Sequence, residues 1–295
     1  ADGQVPSQTI AEIRRRGVVV IRGVYPRRQA EEWNDELGEY IIANNYDTSP
    51  RAPVHDRYFA NLTAARPQIF GIYWSRPQVM ARQHPAMAEA RRFLNRLWKF
   101  EDGGIQHFDP DRECTYADRV RRREPGDESF GLSPHMDAGS VERWIDPAYA
   151  RVYASVFAGN WRVHDPFDAA GRAEVREIPS PAVCSMFRTF QGWTALTPQG
   201  PGDGTLMVIP ILSAVVYMLL RALQDDVPED SLCGAEPGCA LSALPEWHGL
   251  LLPAVQSISP VEPGDAVFWH PDVVHAVEET HRGRTMSNVI YIGAA

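Results

Sequence analysis

The chain has 295 residues, of which 44% are hydrophobic and 10% aromatic, so it is long enough to bury a substantial core. Its formal net charge is -9, and this acidic balance argues against a general affinity for nucleic acid or anionic membranes, because both attract basic proteins. We expect a globular protein that acts on a small molecule, with neither nucleic acid nor membrane as a partner.

The four cysteines, Cys114, Cys184, Cys233 and Cys239, show no C-x-x-C spacing, so neither a zinc knuckle nor a redox pair is indicated. Cys233 and Cys239 could approach each other, but we interpret all four as reduced thiols of a cytoplasmic protein. No apolar run reaches the length of a membrane span, and the first residues lack the apolar core of a signal peptide. Because the chain begins at Ala1 and ends after an apolar run, we expect the native protein to extend beyond both ends.

The first hundred residues favour helices. Residues 8–16 predict a short helix that Gly17 ends, and the β-branched run 18–24 predicts a buried strand after it. Apolar residues recur at helical spacing between residues 29 and 43, which predicts an amphipathic helix. Its predicted buried stripe consists of Ala30, Trp33, Leu37, Tyr40 and Ile41. A longer helix is predicted over 85–100, with a proline near its start, where the missing N–H costs little.

After Gly104 the pattern changes to short strand-like runs separated by Pro, Gly, Asp and Asn. These runs are TYADRVRRR, RVYASVFAG, AVCSMFRTFQGWTALT, GTLMVIPI, DAVFW and TMSNVIYIG. A helical insertion is predicted at 213–224, followed by a loop-rich stretch at 225–249. Helices first and strands afterwards predict an α+β fold built around a sandwich or barrel. Because no repeat or composition break divides the chain, we expect one domain over 1–295, mainly helical in 1–103 and mainly β-sheet in 104–295.

The segment Ser133-Pro134-His135-Met136-Asp137 contains the motif that carries chemistry. Residues i and i+2 of a strand point to the same side, so His135 and Asp137 can offer an imidazole nitrogen and a carboxylate oxygen to one ion. The third ligand is expected at His275, which follows a Gly-Asp turn and an apolar strand-like run. Two histidines and one carboxylate leave three positions of an octahedral ion open, which suits Fe(II) binding an oxoacid and O2 together.

A second H-x-D triplet, His270-Pro271-Asp272, is not expected to bind metal, because its proline would interrupt pairing in a central strand. Such triplets arise often by chance. The order of triplet, Gly-Asp turn, apolar run and histidine is what favours the first triplet. Zinc also binds histidine and carboxylate, but the H-E-x-x-H motif of zinc hydrolases is absent from this sequence, so we favour iron.

Several long segments are similar to one known family. They are RRRGVVVIRG, FLNRLWKFE, HMDAGSVERW, FRTFQGWTALT, PGDGTLMVIPI, DDVPEDSLCG and NVIYIGAA, and they extend over most of the chain. Through them the chain resembles the domain-of-unknown-function 1479 family, within the cupin-like Fe(II)/2-oxoglutarate oxygenases that include phytanoyl-CoA hydroxylase. The resemblance implies a double-stranded β-helix, or jelly roll, with helices packed outside. It also implies iron bound by His135, Asp137 and His275, with 2-oxoglutarate and O2 as co-substrates.

The distal carboxylate of 2-oxoglutarate needs a charge-assisted partner inside such a barrel, and the arginine fork matches it. Oxygenases of this superfamily usually carry that arginine on the last core strand, and Arg284 follows His275 by nine residues. Here the usual R-x-S pattern is replaced by Arg284-Thr285-Met286-Ser287. Arg188 is an equal candidate, because a charged residue in so apolar a run must face solvent or a partner. Either arginine could instead bind a substrate carboxylate or form a surface ion pair.

Other polar residues are weaker candidates for the site. Arg119 and Arg121 alternate along a predicted strand and could face a pocket mouth, although a solvated basic face is the favoured interpretation. Ser140, Glu142 and Arg143 follow the H-x-D strand and could orient the metal ligands, since metal-bound histidines need supporting hydrogen bonds.

Trp193 and Trp269 are expected to pack in the core, and Trp193 is also a candidate for contact with substrate. No catalytic residue beyond the metal ligands is predicted. The leading hypothesis is an oxygenase that couples the decarboxylation of 2-oxoglutarate to the hydroxylation, desaturation or cyclisation of a small, polar or carboxylate-bearing metabolite. The alternatives are a cupin-like metalloenzyme that does not use 2-oxoglutarate and a binding protein with a degenerate site.

Overall fold

The computed structural model describes residues 5–46, 68–128, 132–174 and 187–295. Its helices are α1 (Ser7–Arg16), α2 (Arg27–Ala43), α3 (Arg76–Arg82), α4 (Pro85–Asn95), α5 (Glu142–Ile145), α6 (Pro147–Val152), α7 (Ala154–Phe157), α8 (Ala214–Leu220) and α9 (Pro245–His248). Short 3-10 helices lie at Trp161–Val163, Arg172–Glu174, Arg221–Leu223 and Leu252–Ala254.

The strands are short and concentrate in the second half of the chain. They are β1 (Val18–Ile21), β2 (Ile69–Phe70), β3 (Glu101–Asp102), β4 (Ile105–Gln106), β5 (Val120–Arg123), β6 (His135–Met136), β7 (Gln191–Ala195), β8 (Leu206–Val208), β9 (Leu241–Ser242), β10 (Gln256–Ser257), β11 (Ala266–Trp269), β12 (His275–Val277) and β13 (Ser287–Tyr291). Helices and antiparallel sheet are thus both present, as the α+β prediction requires.

The predicted N-terminal helices are confirmed, and the first two begin one and two residues earlier than predicted. Gly17 takes the left-handed conformation, with φ of 72°, and its N–H donates to the carbonyl of Ile13, which ends α1. The face of α2 that packs inward consists of Ala30, Trp33, Leu37 and Ile41. Tyr40, which belonged to the predicted stripe, is 39% exposed. The helix that was predicted over 85–100 ends at Asn95.

The run RVYASVFAG falls on the end of α6 and on α7, so the strand predicted from it is wrong. The side chain of Asp146 caps α6 by accepting a hydrogen bond from the N–H of Tyr149. Tyr149, Tyr153 and Val156 are all buried and are spaced by four and three residues. This is the helical period, which a run containing valine and tyrosine can conceal.

Two antiparallel sheets form the centre of the fold. The six-stranded sheet has the order β1-β11-β7-β13-β5-β2, and the five-stranded sheet has the order β10-β8-β12-β6-β9. From β5 onward the chain repeatedly crosses between them, since β5, β7, β11 and β13 belong to the first sheet and β6, β8, β10 and β12 to the second. This topology places β6 beside β12, although the two strands are far apart in the sequence.

The two faces of the six-stranded sheet have different surroundings. Asn288 of β13 donates a hydrogen bond to Asn34 of α2 at 2.8 Å, so this face packs against the N-terminal helices. Trp269 of β11 lies on the opposite face, with its ring 5.3 Å from the ring of His275 in the other sheet. We call this opposite side the inner face. Strand register and two-residue spacing place on it Arg121, Gln191, Trp193, Trp269 and Tyr291.

Apolar side chains pack on both sides of the sheets. One core cluster joins the N-terminal helices to the six-stranded sheet, and a second joins the five-stranded sheet to α6, α7 and α8. Cys114 and Cys233 are free thiols, while Cys184 lies outside the described residues. None of the described helices has both the length and the apolar character needed to cross a membrane.

Candidate metal centre

Two histidines face each other across neighbouring strands. His135 begins β6, His275 begins β12, and the two are direct partners in the antiparallel register. Their ring centroids are 4.2 Å apart. The Nδ1 of His135 donates to the carbonyl of Ser133 at 2.7 Å, and the Nδ1 of His275 donates to the carbonyl of Val273 at 3.1 Å. With the ring proton on Nδ1, the Nε2 of each histidine carries the lone pair that can ligate a metal.

The carboxylate of Asp137 completes the group. Its Oδ1 lies 3.3 Å from the Nε2 of His135, and its Oδ2 lies 3.8 Å from the Nε2 of His275. The three ligating atoms all lie within 4.8 Å of one another, and no other group of this kind occurs among the described residues. The structure therefore brings together the three side chains that the sequence nominated, in an arrangement that could hold one metal ion.

The chain turns sharply after Asp137. Ala138 and Gly139 both have positive φ, 70° and 91°, and such a conformation costs an alanine roughly 1–2 kcal/mol. Arg143 stabilises this turn, because its Nη2 donates to the carbonyl of Asp137 at 2.5 Å and its Nε donates to the carbonyl of Gly139 at 3.0 Å. The predicted supporting role of Arg143 thus corresponds to real contacts with the backbone of the metal-ligating segment.

The electrostatic surroundings favour the metal-binding protonation states. Burial alone would raise the pKa of Asp137, but hydrogen bonding to His135 and the charges of His275 and Arg188 hold that pKa well below its usual range. Burial first, and then the neighbouring His135, lower the pKa of His275 to about 4. At neutral pH the group therefore offers an ionised carboxylate and a neutral imidazole, the forms that bind metal ions.

The two arginines predicted to bind the co-substrate lie in different places. Arg188 is buried, and its Nη2 lies 3.8 Å from the Oδ2 of Asp137. Its Nη1 is also 3.5 Å from the hydroxyl of Tyr116. Arg284 is exposed in the segment between β12 and β13. Of these two candidates, only Arg188 contacts a side chain of the metal-ligating group.

Arg119 lies just before β5 and Arg121 lies within it, and the two side chains differ in exposure. Arg121 lies on the inner face, where it is buried and donates to the carbonyl of Gly204 at 3.1 Å. The favoured interpretation of a solvated basic face is therefore wrong for Arg121. Arg119 precedes β5, has a side chain that is 38% exposed, and pairs with Asp118 at 3.4 Å. Burial raises the pKa of Tyr291, whose phenol lies within the field of both arginines.

Ser140 and Glu142 connect the metal-ligating turn to a distant loop. The hydroxyl of Ser140 donates to the carbonyl of Glu236 at 2.6 Å. The carboxylate of Glu142 accepts from the N–H of Gly238 at 2.6 Å and from the N–H of Ser140 at 3.1 Å. These two residues therefore hold the turn in place and do not themselves join the metal-ligating group.

The inner face also carries polar atoms that the sequence analysis did not single out. Gln191 and Trp269 are direct register partners on β7 and β11, and both are at least 95% buried. The Nε2 of Gln191 and the Nε1 of Trp269 have no hydrogen-bond partner among the described residues. Trp193, predicted for the core, is also buried on this face. The two-residue spacing of Gln191 and Trp193 was the signal that could have identified Gln191.

A surface cleft of about 920 Å³ lies elsewhere, between α8, α9 and the 3-10 helix at Trp161–Val163. Its lining includes Tyr217, Arg221 and Trp247, but none of the three metal-ligating residues. The cleft is therefore separate from the candidate metal centre.

Two antiparallel sheets that present a His-Asp-His group define a class of candidate metalloprotein, and comparison with known proteins gives the family. The Gig2-like family model matches residues 1–295, and the chain belongs to this family. The uncharacterized protein YbiU of Escherichia coli K12 is 49% identical over 295 residues, which are 99% of this chain and 70% of YbiU.

Solved structures agree with this assignment. The crystal structure of a Salmonella typhimurium LT2 protein, named a candidate oxidoreductase, has a TM-score of 0.92 at 48% identity and covers 99% of this chain and 70% of that one. GlcNAc Inducible Gene 2 of Candida albicans, which carries the designation DUF1479, has a TM-score of 0.83 at 31% identity and covers 99% of this chain and 64% of that one. The predicted resemblance to the 1479 family is confirmed.

Two more distant structures are similar in fold alone. The epimerase SnoN, solved in complex with Fe3+ and alpha ketoglutarate, has a TM-score of 0.51 at 15% identity and covers 97% of this chain and 82% of SnoN. The alpha ketoglutarate dependent carbocyclase SnoK has a TM-score of 0.52 at 12% identity and covers 99% of this chain and 84% of SnoK. The two-sheet architecture thus occurs in iron- and 2-oxoglutarate-dependent proteins.

Proposed function

We propose that this protein is a non-haem Fe(II)- and 2-oxoglutarate-dependent oxygenase, an oxidoreductase built on a double-stranded β-helix. The observation that carries the proposal is the convergence of His135, Asp137 and His275 from two neighbouring strands of one sheet. The repeated crossing of the chain between two antiparallel sheets, and the fold similarity to SnoN and SnoK, support it.

Iron is the metal that best fits this donor set. Two imidazole nitrogens and one carboxylate oxygen are the ligands typical of non-haem Fe(II) oxygenases, which keep the remaining positions for other ligands. Bound iron would supply the activation of O2 that couples 2-oxoglutarate decarboxylation to oxidation of a C–H bond. The protein's own contribution is to hold three ligands on one side, because each histidine is oriented by the backbone carbonyl two residues before it.

We assign the binding of a co-substrate carboxylate to Arg188. Its guanidinium is buried beside Asp137, so a ligand on the open side of the metal would lie within its reach. A buried guanidinium fork forms strong, charge-assisted hydrogen bonds with a carboxylate. Arg121 lies on the same inner face and is available for a second carboxylate, either that of the co-substrate's other end or that of the substrate.

The primary substrate is proposed to be a small metabolite with polar or carboxylate oxygens. Gln191 and Trp269 present buried N–H groups to the inner face, and these groups have no hydrogen-bond partner among the described residues. The ring of Trp269 lies 5.3 Å from that of His275. A buried donor without a partner costs roughly 1–3 kcal/mol, so a ligand oxygen that accepts from it gains that free energy. An apolar substrate would leave these donors unsatisfied.

Anaerobic titration of the Fe(II)-loaded protein with 2-oxoglutarate tests the proposal directly. We expect stoichiometric iron, a visible charge-transfer absorption when 2-oxoglutarate chelates it, and succinate formation when O2 is admitted. Iron binding without the absorption band would favour a metalloenzyme that does not use 2-oxoglutarate. Failure to bind iron would favour a degenerate binding protein.

A further inference from the structure

The second H-x-D triplet ends in a buried carboxylate with several partners. Asp272 is 1% exposed and accepts hydrogen bonds from the hydroxyl of Tyr153 at 2.8 Å and from Arg172 at 2.6 Å. Arg143 donates to it at 3.3 Å and also contacts the hydroxyl of Tyr153. Burial alone would raise the pKa of Asp272, but Arg172, His270 and Arg143 hold that pKa well below its usual range, so the carboxylate is ionised.

Arg143 connects this carboxylate to one metal ligand. The same guanidinium that contacts Asp272 donates to the carbonyls of Asp137 and Gly139, on both sides of the strained residue Ala138. A guanidinium has five N–H groups in a fixed plane, so fixing one edge on Asp272 also fixes the edge that holds the turn. Two hydrogen bonds through Arg143 therefore link the carboxylate of Asp272 to the backbone carbonyl of Asp137.

Asp272 also lies beside the segment that orients the second histidine of the group, His275. Its N–H donates to the Nδ1 of His270 at 3.0 Å, and the next residue, Val273, donates to the carbonyl of His270 at 2.9 Å. Val273 in turn supplies the carbonyl that accepts from His275 at 3.1 Å. One anchored turn thus determines where the carbonyl that orients His275 lies.

We infer that Asp272 is a positioning residue for the metal centre, which holds the Asp137 turn through Arg143 and the His275 segment through its own turn. This inference rests on the proposed metal site but assigns a role outside it. A buried ionic cluster of this kind is weak support for stability alone, because removing its charges from water offsets their attraction. Orienting groups behind metal ligands commonly control metal affinity, so a role in geometry explains why such a cluster is present.

Metal binding by Asp272→Asn, with Asp265→Asn as the matched control, tests the inference. Asp265 is also a buried, hydrogen-bonded aspartate, 5% exposed, but it caps the opposite end of β11 through Gly23, Glu262 and Arg22. Co(II) is the probe, because its affinity and its visible spectrum both report ligand geometry. We expect Asp272→Asn to weaken Co(II) binding by roughly 10- to 100-fold and to change the band shape. We expect Asp265→Asn to leave the Co(II) affinity and the band shape unchanged. This difference should hold even if the two variants lower the unfolding temperature by the same amount.

Tyr153→Phe serves where Asp272→Asn does not fold, since it removes only one hydroxyl from the cluster. A several-fold loss of Co(II) affinity with a changed spectrum supports the inference. Wild-type affinity and spectrum in a folded Asp272→Asn or Tyr153→Phe protein overturn it, as does an equal loss in Asp265→Asn. Absence of Co(II) and Fe(II) binding by the wild-type chain overturns the proposed function itself, which is a different result.

Discussion

The guanidinium of Arg188 lies 3.8 Å from the Oδ2 atom of Asp137, so a buried cation stands beside the carboxylate of the metal-ligating group. If a metal ion bound a diacid such as 2-oxoglutarate on its open side, the carboxylates of that ligand would bring negative charge close to Arg188. The arginine that contacts the ligand set is thus also the one best placed to recognise an anionic co-substrate.

Replacing this arginine should weaken co-substrate binding. We expect Arg188→Met to raise the Kd of 2-oxoglutarate for the Fe(II)-loaded protein by roughly 10- to 100-fold, because a charged hydrogen bond contributes about 1.5–3 kcal/mol. Arg284→Met is the matched control, since that arginine is exposed and should leave the Kd unchanged. The charge-transfer titration measures both. If Arg284→Met bound 2-oxoglutarate more weakly and Arg188→Met bound it as tightly as the wild type, the assignment would be reversed.

Removal of the metal carboxylate should abolish iron retention. We expect Asp137→Ala to lose stoichiometric iron and turnover. Two of the three proposed ligands would remain, without the negative charge, and Arg188 would lose its anionic neighbour. Asp226→Ala is a suitable control, since Asp226 pairs with Arg221 on the surface. Metal analysis after gel filtration decides the matter. Full iron content in Asp137→Ala would rule out the assigned ligand set.

A substitution at Gly293 tests whether the surroundings of Arg188 affect co-substrate binding. A Cβ at this position would collide with the hydroxyl of Tyr116, which lies beside Arg188, and would come within 3.0 Å of the carbonyl of Phe190. We expect Gly293→Ala to displace Tyr116 and to weaken 2-oxoglutarate binding several-fold. Gly71→Ala should be neutral, because among the described residues its Cβ would meet Tyr73 alone, at an ordinary 3.9 Å. Equal affinities in the two variants would separate Tyr116 from the ligand site.

His270 should make the apoprotein sensitive to acid. Burial lowers the pKa of His270 from 6.5 to about 3, while its Nε2 donates to the carbonyl of Pro166 and its Nδ1 accepts from Asp272. The unfolded chain binds a proton below pH 6.5 that the folded chain does not bind, so the free energy of unfolding falls as the pH decreases from 6.5 towards 3. At pH 5 this loss amounts to about 2 kcal/mol.

The variant His270→Gln keeps a donor and an acceptor but cannot take up the proton. Urea unfolding at pH 7.5 and at pH 5 should therefore show a smaller difference in this variant than in the wild type, by about 2 kcal/mol. Identical differences in the two proteins would mean that His270 titrates normally in the folded state.

The grouping of His135, Asp137 and His275 could be predicted in part from local spacing. A separation of two residues brings His135 and Asp137 together even though the strand ends at Met136, and the order of turn, strand and histidine indicated His275. Arg188 and Arg284 could not be separated, because their exposure depends on how the chain packs around β7 and β13. Packing also decides whether Arg121 faces solvent or the inner face.

Other features depended on tertiary contacts that a single sequence does not contain. The run at 151–159 looks strand-like, yet Tyr153 and Val156 bury against a neighbouring core and a cap at Asp146 begins the helix Pro147–Val152. Asp272 was set aside because of Pro271, and the structure places it where a proline is harmless, in the turn between β11 and β12. The donors of Gln191 and Trp269, which find no partner in the described part of the chain, become visible only when the two strands are set in register.

The exposure of the three ligands has a consequence for the order in which molecules arrive. The side chain of Asp137 is 26% exposed, against 3% for His135 and 7% for His275, so solvent reaches the group chiefly past the carboxylate. The metal ion and the organic ligand would then enter through the same opening. Whichever binds second would block the exit of the one that bound first. We expect a chelator to strip the metal more slowly once 2-oxoglutarate is present; equal stripping rates would reveal a separate exit for the ion.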